Sequence, residues 1–143
     1  MHLVNSVDLI TLDENKRILL VKRNEPDELD NDEWSIPGGG AKAGESIEEA
    51  LVREIKEELN CKITKFTYFR SYFEKESDKD VRGFYFYSKI KGSIKLSVEH
   101  SKYKWFSFEK IVALKKSELA FNQKEVLMDF IDFYEKQSEI RSF

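Results

Sequence analysis

One cysteine, two prolines and six glycines are spread over 143 residues, and each scarcity closes off a class of protein. Cys61 stands alone, so no intramolecular disulfide and no cysteine metal cluster can form. A reducing, cytoplasmic setting is the expectation that follows. So little Pro and Gly excludes collagen-like and low-complexity architectures. Charges interrupt every apolar run well short of the roughly 18 residues that a membrane span needs. In the opening stretch MHLVNSVDLITLDENK no basic segment precedes the apolar one, and Asn5, Ser6 and Asp8 break it, so no export signal is expected. Aromatic residues make up 13% of the chain, which argues against disorder, and its length suits one domain over residues 1–143.

Charge is informative by its placement. The net value is −3, which is no footprint for nucleic-acid binding. Residues 24–33, NEPDELDNDE, hold six acids and no base, and residues 45–58 hold six Glu against Arg53 and Lys56. The rest of the chain is mildly basic. The first acidic stretch reads as a solvated loop ahead of Trp34.

The patterning predicts two strands at 2–12 and 17–23 around a turn at Asp13–Lys16, the second apolar on both faces and therefore central. A longer hairpin is expected from 61–76 and 81–91, then short strands at 94–98 and 103–107. Ile47, Leu51, Ile55 and Leu59 recur at helical spacing over 46–59, with Ser46 as N-cap and Glu49 completing a capping box. A helical turn is expected near Glu109–Lys115. A last helix over about 122–137 is expected to start with Asn122 as cap and to carry a broad apolar stripe of Val126, Leu127, Phe130, Ile131, Phe133 and Tyr134. Strands before and after a central helix make a mixed α/β layered domain.

Chemistry is concentrated in WSIPGGGAKAGESIEEALVREIKEELNC. The loop Gly38-Gly39-Gly40 lets backbone approach a bound substrate closely, and one of its carbonyls can complete a coordination sphere. Projected at about 100° per residue, Glu54, Glu57 and Glu58 share an arc of about 100° beside the apolar stripe. Two like charges about 4 Å apart repel by about 1 kcal/mol in water and about 4 kcal/mol at an effective dielectric of about 20. Three on one shielded face raise their pKa values or recruit a cation. Hard oxygen ligands suit Mg²⁺, with Mn²⁺ as a substitute. Arg53, one turn before Glu57, is placed to hold that carboxylate.

Gly39, Glu45, Arg53, Glu54, Ile55, Glu57 and Glu58 resemble the Nudix box on its spacing, without a gap. Asn60 replaces the second-to-last glycine and Cys61 takes the final aliphatic position. Both changes are mild, because Asn is the usual second choice for a left-handed helix end and buried Cys behaves as a small apolar residue. The resemblance implies an α/β/α sandwich with a mixed β-sheet and this loop–helix as its central metal site. It implies hydrolysis of a nucleoside diphosphate linked to a group X, with Gly39, Glu54, Glu57 and Glu58 holding the metal and Glu45 supporting the loop. The base is then Glu57 or a loop glutamate, for which Glu99 is the candidate. Arg23, at a strand end, is a candidate for gripping a substrate phosphate. His100 reads as a polar loop residue, His2 as a terminal one, and Tyr85, Phe86 and Tyr87 as core rather than base-stacking residues.

Within the resemblance, the ADP-ribose type carries a proline downstream of the box where this chain has Ser77, and the diadenosine type a tyrosine nearby. Intact Glu57 and Glu58 argue against the mannosyl-transfer branch. FNQKEVLMDF resembles a branch acting on deoxynucleoside or pterin triphosphates. The expected activity is that of a MutT-like nucleoside triphosphate pyrophosphohydrolase. The alternatives are a nucleotide-sugar or dinucleotide pyrophosphatase and, from another class, a non-catalytic nucleotide-sensing domain. The expected partner is a small nucleotide, not nucleic acid or a membrane, and homodimerisation is left open.

Overall fold

In the computed structural model, residues 3–23, 33–75, 78–90, 92–98 and 100–141 are described. The first two expected strands form as β1 (Leu3–Thr11) and β2 (Ile18–Arg23). Asp13 closes the turn between them, accepting from the amides of Asn15 at 2.9 Å and Arg17 at 2.8 Å. Two short strands follow, β3 (Trp34–Ser35) and β4 (Gly38–Gly40), before helix α1 (Ile47–Leu59). The glycine triplet is thus a strand and not the expected loop. It pairs antiparallel with β1, setting Gly39 against Val7 and Gly38 against Asp8. Bonds from Leu9 N to Pro37 O and from Ala41 N to Asn5 O, each 2.9 Å, extend that pairing at both ends.

The hairpin is β5 (Thr67–Lys75) and β6 (Asp80–Ser88), followed by β7 (His100–Phe106). β5 starts later than its periodicity predicts, and residues 94–98 form no strand. Lys95 and Ser97 donate their amides to the carbonyls of Leu59 and Glu58 at 2.9 and 3.0 Å, so this segment closes the end of α1. Helix α2 (Phe108–Ala113) is capped by Ser107, and α3 (Gln123–Arg141) runs beyond its expected end.

β1 and β6 run parallel at the centre of one sheet, in the order β4-β1-β6-β5, while β2 lies central in a second, in the order β3-β2-β7. Alternation along the strands then fills two cores. Val7, Leu9, Leu19 and Val21 pack with Leu51, Ile55 and Leu59 of α1. Ile10, Leu12, Ile18 and Leu20 pack with Val126, Leu127, Phe130 and Ile131 of α3. The result is a mixed α/β sandwich with helices on both faces. Tyr85 and Phe86 are buried on opposite sides, and Tyr87 packs at the rim of the α3 core. No described helix is long and apolar enough to cross a membrane.

The ends of α1 obey the local rules. Ser46 Oγ accepts from Glu49 N and Glu49 returns a bond to Ser46 N, both at 3.0 Å. Asn60 closes the helix in the left-handed region at φ 54. Cys61 is buried behind it. At the end of α2, where Leu114 N already bonds back to the carbonyls of Lys110 and Ile111, a side chain from the start of α3 adds further donors. Lys124 Nζ donates to the carbonyls of Ile111, Val112 and Leu114 at 2.8, 2.8 and 2.7 Å, placing a cation where α2 exposes its last acceptors.

Phe130 is fully buried, with the rings of Phe69, Tyr87 and Tyr134 at 5.3, 5.4 and 5.8 Å. Phe130→Ala is expected to cost about 3–5 kcal/mol of unfolding free energy, against about 1 kcal/mol for the cap variant Ser46→Ala. Urea unfolding of the two variants checks this ranking.

Candidate active site

Gly38 and Gly39 are where the strand edge meets the acidic face of α1. A side chain at Gly38 would collide with the Val7 carbonyl and Asp8, and one at Gly39 with the Glu54 carboxylate. At Gly38, where backbone stands in the way, only glycine lets this strand lie so close to its neighbour. Gly38 N donates to Glu58 Oε2 at 3.0 Å. Glu54 and Glu58 are therefore both seated on β4, Glu58 being the charged residue among those that α1 buries.

One guanidinium organises the outer half of this surface. Arg53 Nε and Nη2 hold the two oxygens of Glu45 at 2.6 and 2.9 Å. Nη2 also reaches Gly40 O at 3.0 Å, and Nη1 reaches Glu54 at 2.9 Å and Glu57 at 3.2 Å. The bond to Glu57 follows the i, i+4 spacing, and the rest of the network depends on the loop returning Glu45 to α1. Bonds from Arg53 and from the Lys42 amide push the Glu45 carboxyl down to about 2, and Glu45 in turn raises the pKa of Arg53.

The three clustered carboxylates do not sit in one environment. Glu57 is more than half exposed, whereas the side chains of Glu54 and Glu58 are 14% and 10% exposed. Among the described residues no three His, Cys, Asp or Glu side chains surround a single point, and Arg53 Nη1 bridges Glu54 and Glu57. The donor chemistry nonetheless fits a hard divalent cation. Every box carboxylate offers oxygen only, and β4 brings backbone against two of them. Glu54, Glu57 and Glu58 are the side chains that would hold such an ion, beside Gly39.

Sequence reasoning missed the cavity beside this edge. It measures about 240 Å³ and is lined by Ser6, Asp8, Gly38–Gly40, Glu58, Tyr72, Tyr85, His100 and Phe121–Gln123, among others. One wall is pinned from a distance: buried Gln123 accepts from Ile36 N at 2.9 Å, and Ala120 N donates to Trp34 O at 2.9 Å. Phe121 stands at this wall with φ 50 and 60% exposure, a left-handed conformation uncommon for an aromatic residue. Tyr72 donates to Asp129 at 2.8 Å from the sheet side. Asp8 is buried on the floor, and burial, reinforced by the charges of Glu58 and Glu54, raises its pKa well above the carboxylate range. The signal for this cavity was Ser6 and Asp8, two polar residues on one face of a strand that is buried from Val7 onward.

His100 is not the polar loop residue its sequence position suggested. It is buried at the start of β7, lines the cavity and faces Glu58. Arg23 ends β2 opposite His100. Glu99, His2 and residues 24–32 of the acidic stretch lie outside the described residues.

A family model for the NUDIX domain matches residues 2–130. An ADP-ribose pyrophosphatase of Methanocaldococcus jannaschii is 28% identical over 136 residues, 92% of this chain and 75% of its own length. An 8-oxo-dGTP diphosphatase of Buchnera aphidicola is 36% identical over 107 residues, 73% of this chain and 78% of its own length. The crystal structure of a MutT protein from Methanosarcina mazei Go1 superposes with a TM-score of 0.82 at 25% identity, covering 93% of this chain and 96% of the other. The chain belongs to the Nudix family of hydrolases.

Because Glu45 is held ionised by Arg53, it stabilises the fold above pH 4.5, and that contribution is lost as pH falls from 4.5 toward about 2. Thermal unfolding across this interval is expected to show a shallower pH dependence for Glu45→Gln than for the wild type.

Proposed function

We propose that this chain is a divalent-cation-dependent nucleoside triphosphate pyrophosphohydrolase, releasing a nucleoside monophosphate and pyrophosphate. The observation that carries the reading is the seating of Glu54 and Glu58 against Gly38 and Gly39 at the edge of a cavity. A phosphate chain lying along β4 would meet the carboxylate face, while the group attached to it enters the cavity.

Glu54, Glu57 and Glu58 are the side chains that would hold Mg²⁺ or Mn²⁺, and such an ion, when bound, would neutralise charge on the phosphates and lower the pKa of water. The chain's own residues do the positioning. Gly38 N–H fixes one oxygen of Glu58, and Arg53 sets the rotamers of Glu54 and Glu57 while tying the Glu45 loop to the helix. Gly38, Gly39 and Gly40 give the phosphates close access to backbone. Arg23 is assigned to a terminal phosphate. Glu57, the most exposed of the three box carboxylates, and Glu99 are the two candidates for accepting the proton of the attacking water. The single domain over 1–143 and the cytoplasmic setting belong to this same proposal.

The preference for a triphosphate rests on the relative named as an 8-oxo-dGTP diphosphatase. The second reading, cleavage of a nucleotide sugar or dinucleotide, is favoured by the longer match to a relative named as an ADP-ribose pyrophosphatase. Against it stands the absence of a proline after the box, since Pro26 and Pro37 both precede α1.

Product analysis with Mg²⁺ over nucleoside triphosphates, nucleotide sugars and dinucleotides separates the readings. Pyrophosphate released directly from a triphosphate is expected, and cleavage confined to sugars or dinucleotides contradicts it. Glu58→Gln is expected to abolish turnover while circular dichroism and thermal unfolding report an intact fold.

A further inference from the structure

We infer that His100 is a positioning residue for Glu58, holding the inner carboxylate in the orientation that the proposed reaction uses. The inference rests on the reading of Glu58 as a cation ligand. One oxygen of that carboxylate, Oε2, accepts from Gly38 N at 3.0 Å. The other, Oε1, faces His100 Nε2 at 4.0 Å. The imidazole is itself fixed, because its side chain is only 5% exposed and Nδ1 lies 3.4 Å from Ser97 Oγ. A ring oriented through one nitrogen presents the other in a defined direction. At 4.0 Å the imidazole faces the carboxylate without a direct hydrogen bond, and the groups around a metal-binding carboxylate characteristically set its orientation.

The backbone explains why the ring is there. Helix α1 ends with carbonyls that have no helical donor, and Lys95 and Ser97 supply donors to two of them. Ser97 N donates to the carbonyl of Glu58 itself at 3.0 Å, Lys95 N to Leu59 O at 2.9 Å, and His100 N turns back to Ser97 O at 3.2 Å. The segment that closes the main chain at Glu58 therefore returns a side chain to the carboxylate of the same residue. Glu58 is gripped from the β4 side by an amide and faced from the β7 side by an imidazole, and both residues line the cavity. A displacement of this strap moves the carboxylate with it.

The test uses the whole protein and the variants His100→Ala, His100→Gln and Ser97→Ala. Mn²⁺ alone is titrated with detection by electron paramagnetic resonance, and kcat and KM are measured with a nucleoside triphosphate. His100→Ala is expected to weaken Mn²⁺ binding about 10- to 100-fold and to lower kcat by a similar factor, with a much smaller change in KM. His100→Gln, which keeps a polar reach toward Glu58, recovers part of both losses, and Ser97→Ala falls between. Wild-type Mn²⁺ affinity and kcat in His100→Ala overturn the inference. If that variant does not fold, Ser97→Ala decides in the same way, because it keeps the ring and removes only its orienting hydroxyl. A wild-type protein that binds Mn²⁺ and cleaves triphosphate beside unaffected variants defeats this inference alone. A wild-type protein that does neither defeats the proposed function together with it.

Discussion

The Arg53 guanidinium is the interaction on which the site depends. Its five N–H donors lie in a fixed plane, and here they meet Glu45, Glu54, Glu57 and the carbonyl of Gly40. A lysine offers one point charge on a flexible stem and cannot bridge this many acceptors in defined directions. Without the guanidinium, the outer carboxylates would repel one another and the loop carrying Glu45 would lose its tether to α1. Arg53 thus joins three local features, the glycine strand, the loop after it and the helix, into one rigid edge.

That edge is graded in exposure, and the grading gives three chemically identical side chains different environments. Glu57 stands in solvent, Glu54 is covered by β4 and Arg53, and Glu58 turns inward between Gly38 and His100. Deeper still, Asp8 lies in the cavity floor, where burial first, and then the charges of Glu58 and Glu54, disfavour its ionisation. Acidic side chains are thus gathered where β4 meets the cavity wall, which is where phosphates would need a cation to be tolerated. The two cores keep this geometry stiff, because α1 and α3 grip opposite faces of the same strands.

Much of this was written locally in the chain. The capping box at Ser46 and Glu49, the left-handed Asn60, the apolar stripe of α1 and the doubly buried β2 all depend on residues near in sequence, and the structure has them where periodicity and cap chemistry indicated. The box carboxylates were legible for the same reason, since their shared face follows from helical spacing. What sequence could not supply is long-range. The glycine triplet became a strand because β1 offered it a partner, and residues 94–98 lost their strand because the end of α1 offered better ones. The cavity wall at Phe121–Gln123 is fixed by the bond that Ile36 N donates to Gln123 Oε1, which no window along the chain contains. His100 was misread because burial, not its polar neighbours in sequence, determines its role.

The central claim is that the edge of β4 and the face of α1 together form a cation-dependent phosphate site. The most direct measurement is the anomalous diffraction of Mn²⁺ in crystals of the wild-type protein with a nonhydrolysable triphosphate. The expected result is manganese density bounded by Glu54, Glu57, Glu58 and the backbone of Gly39, with the phosphate chain along β4. Manganese elsewhere, with this edge still closed by Arg53 and the phosphates bound apart from it, would contradict the account.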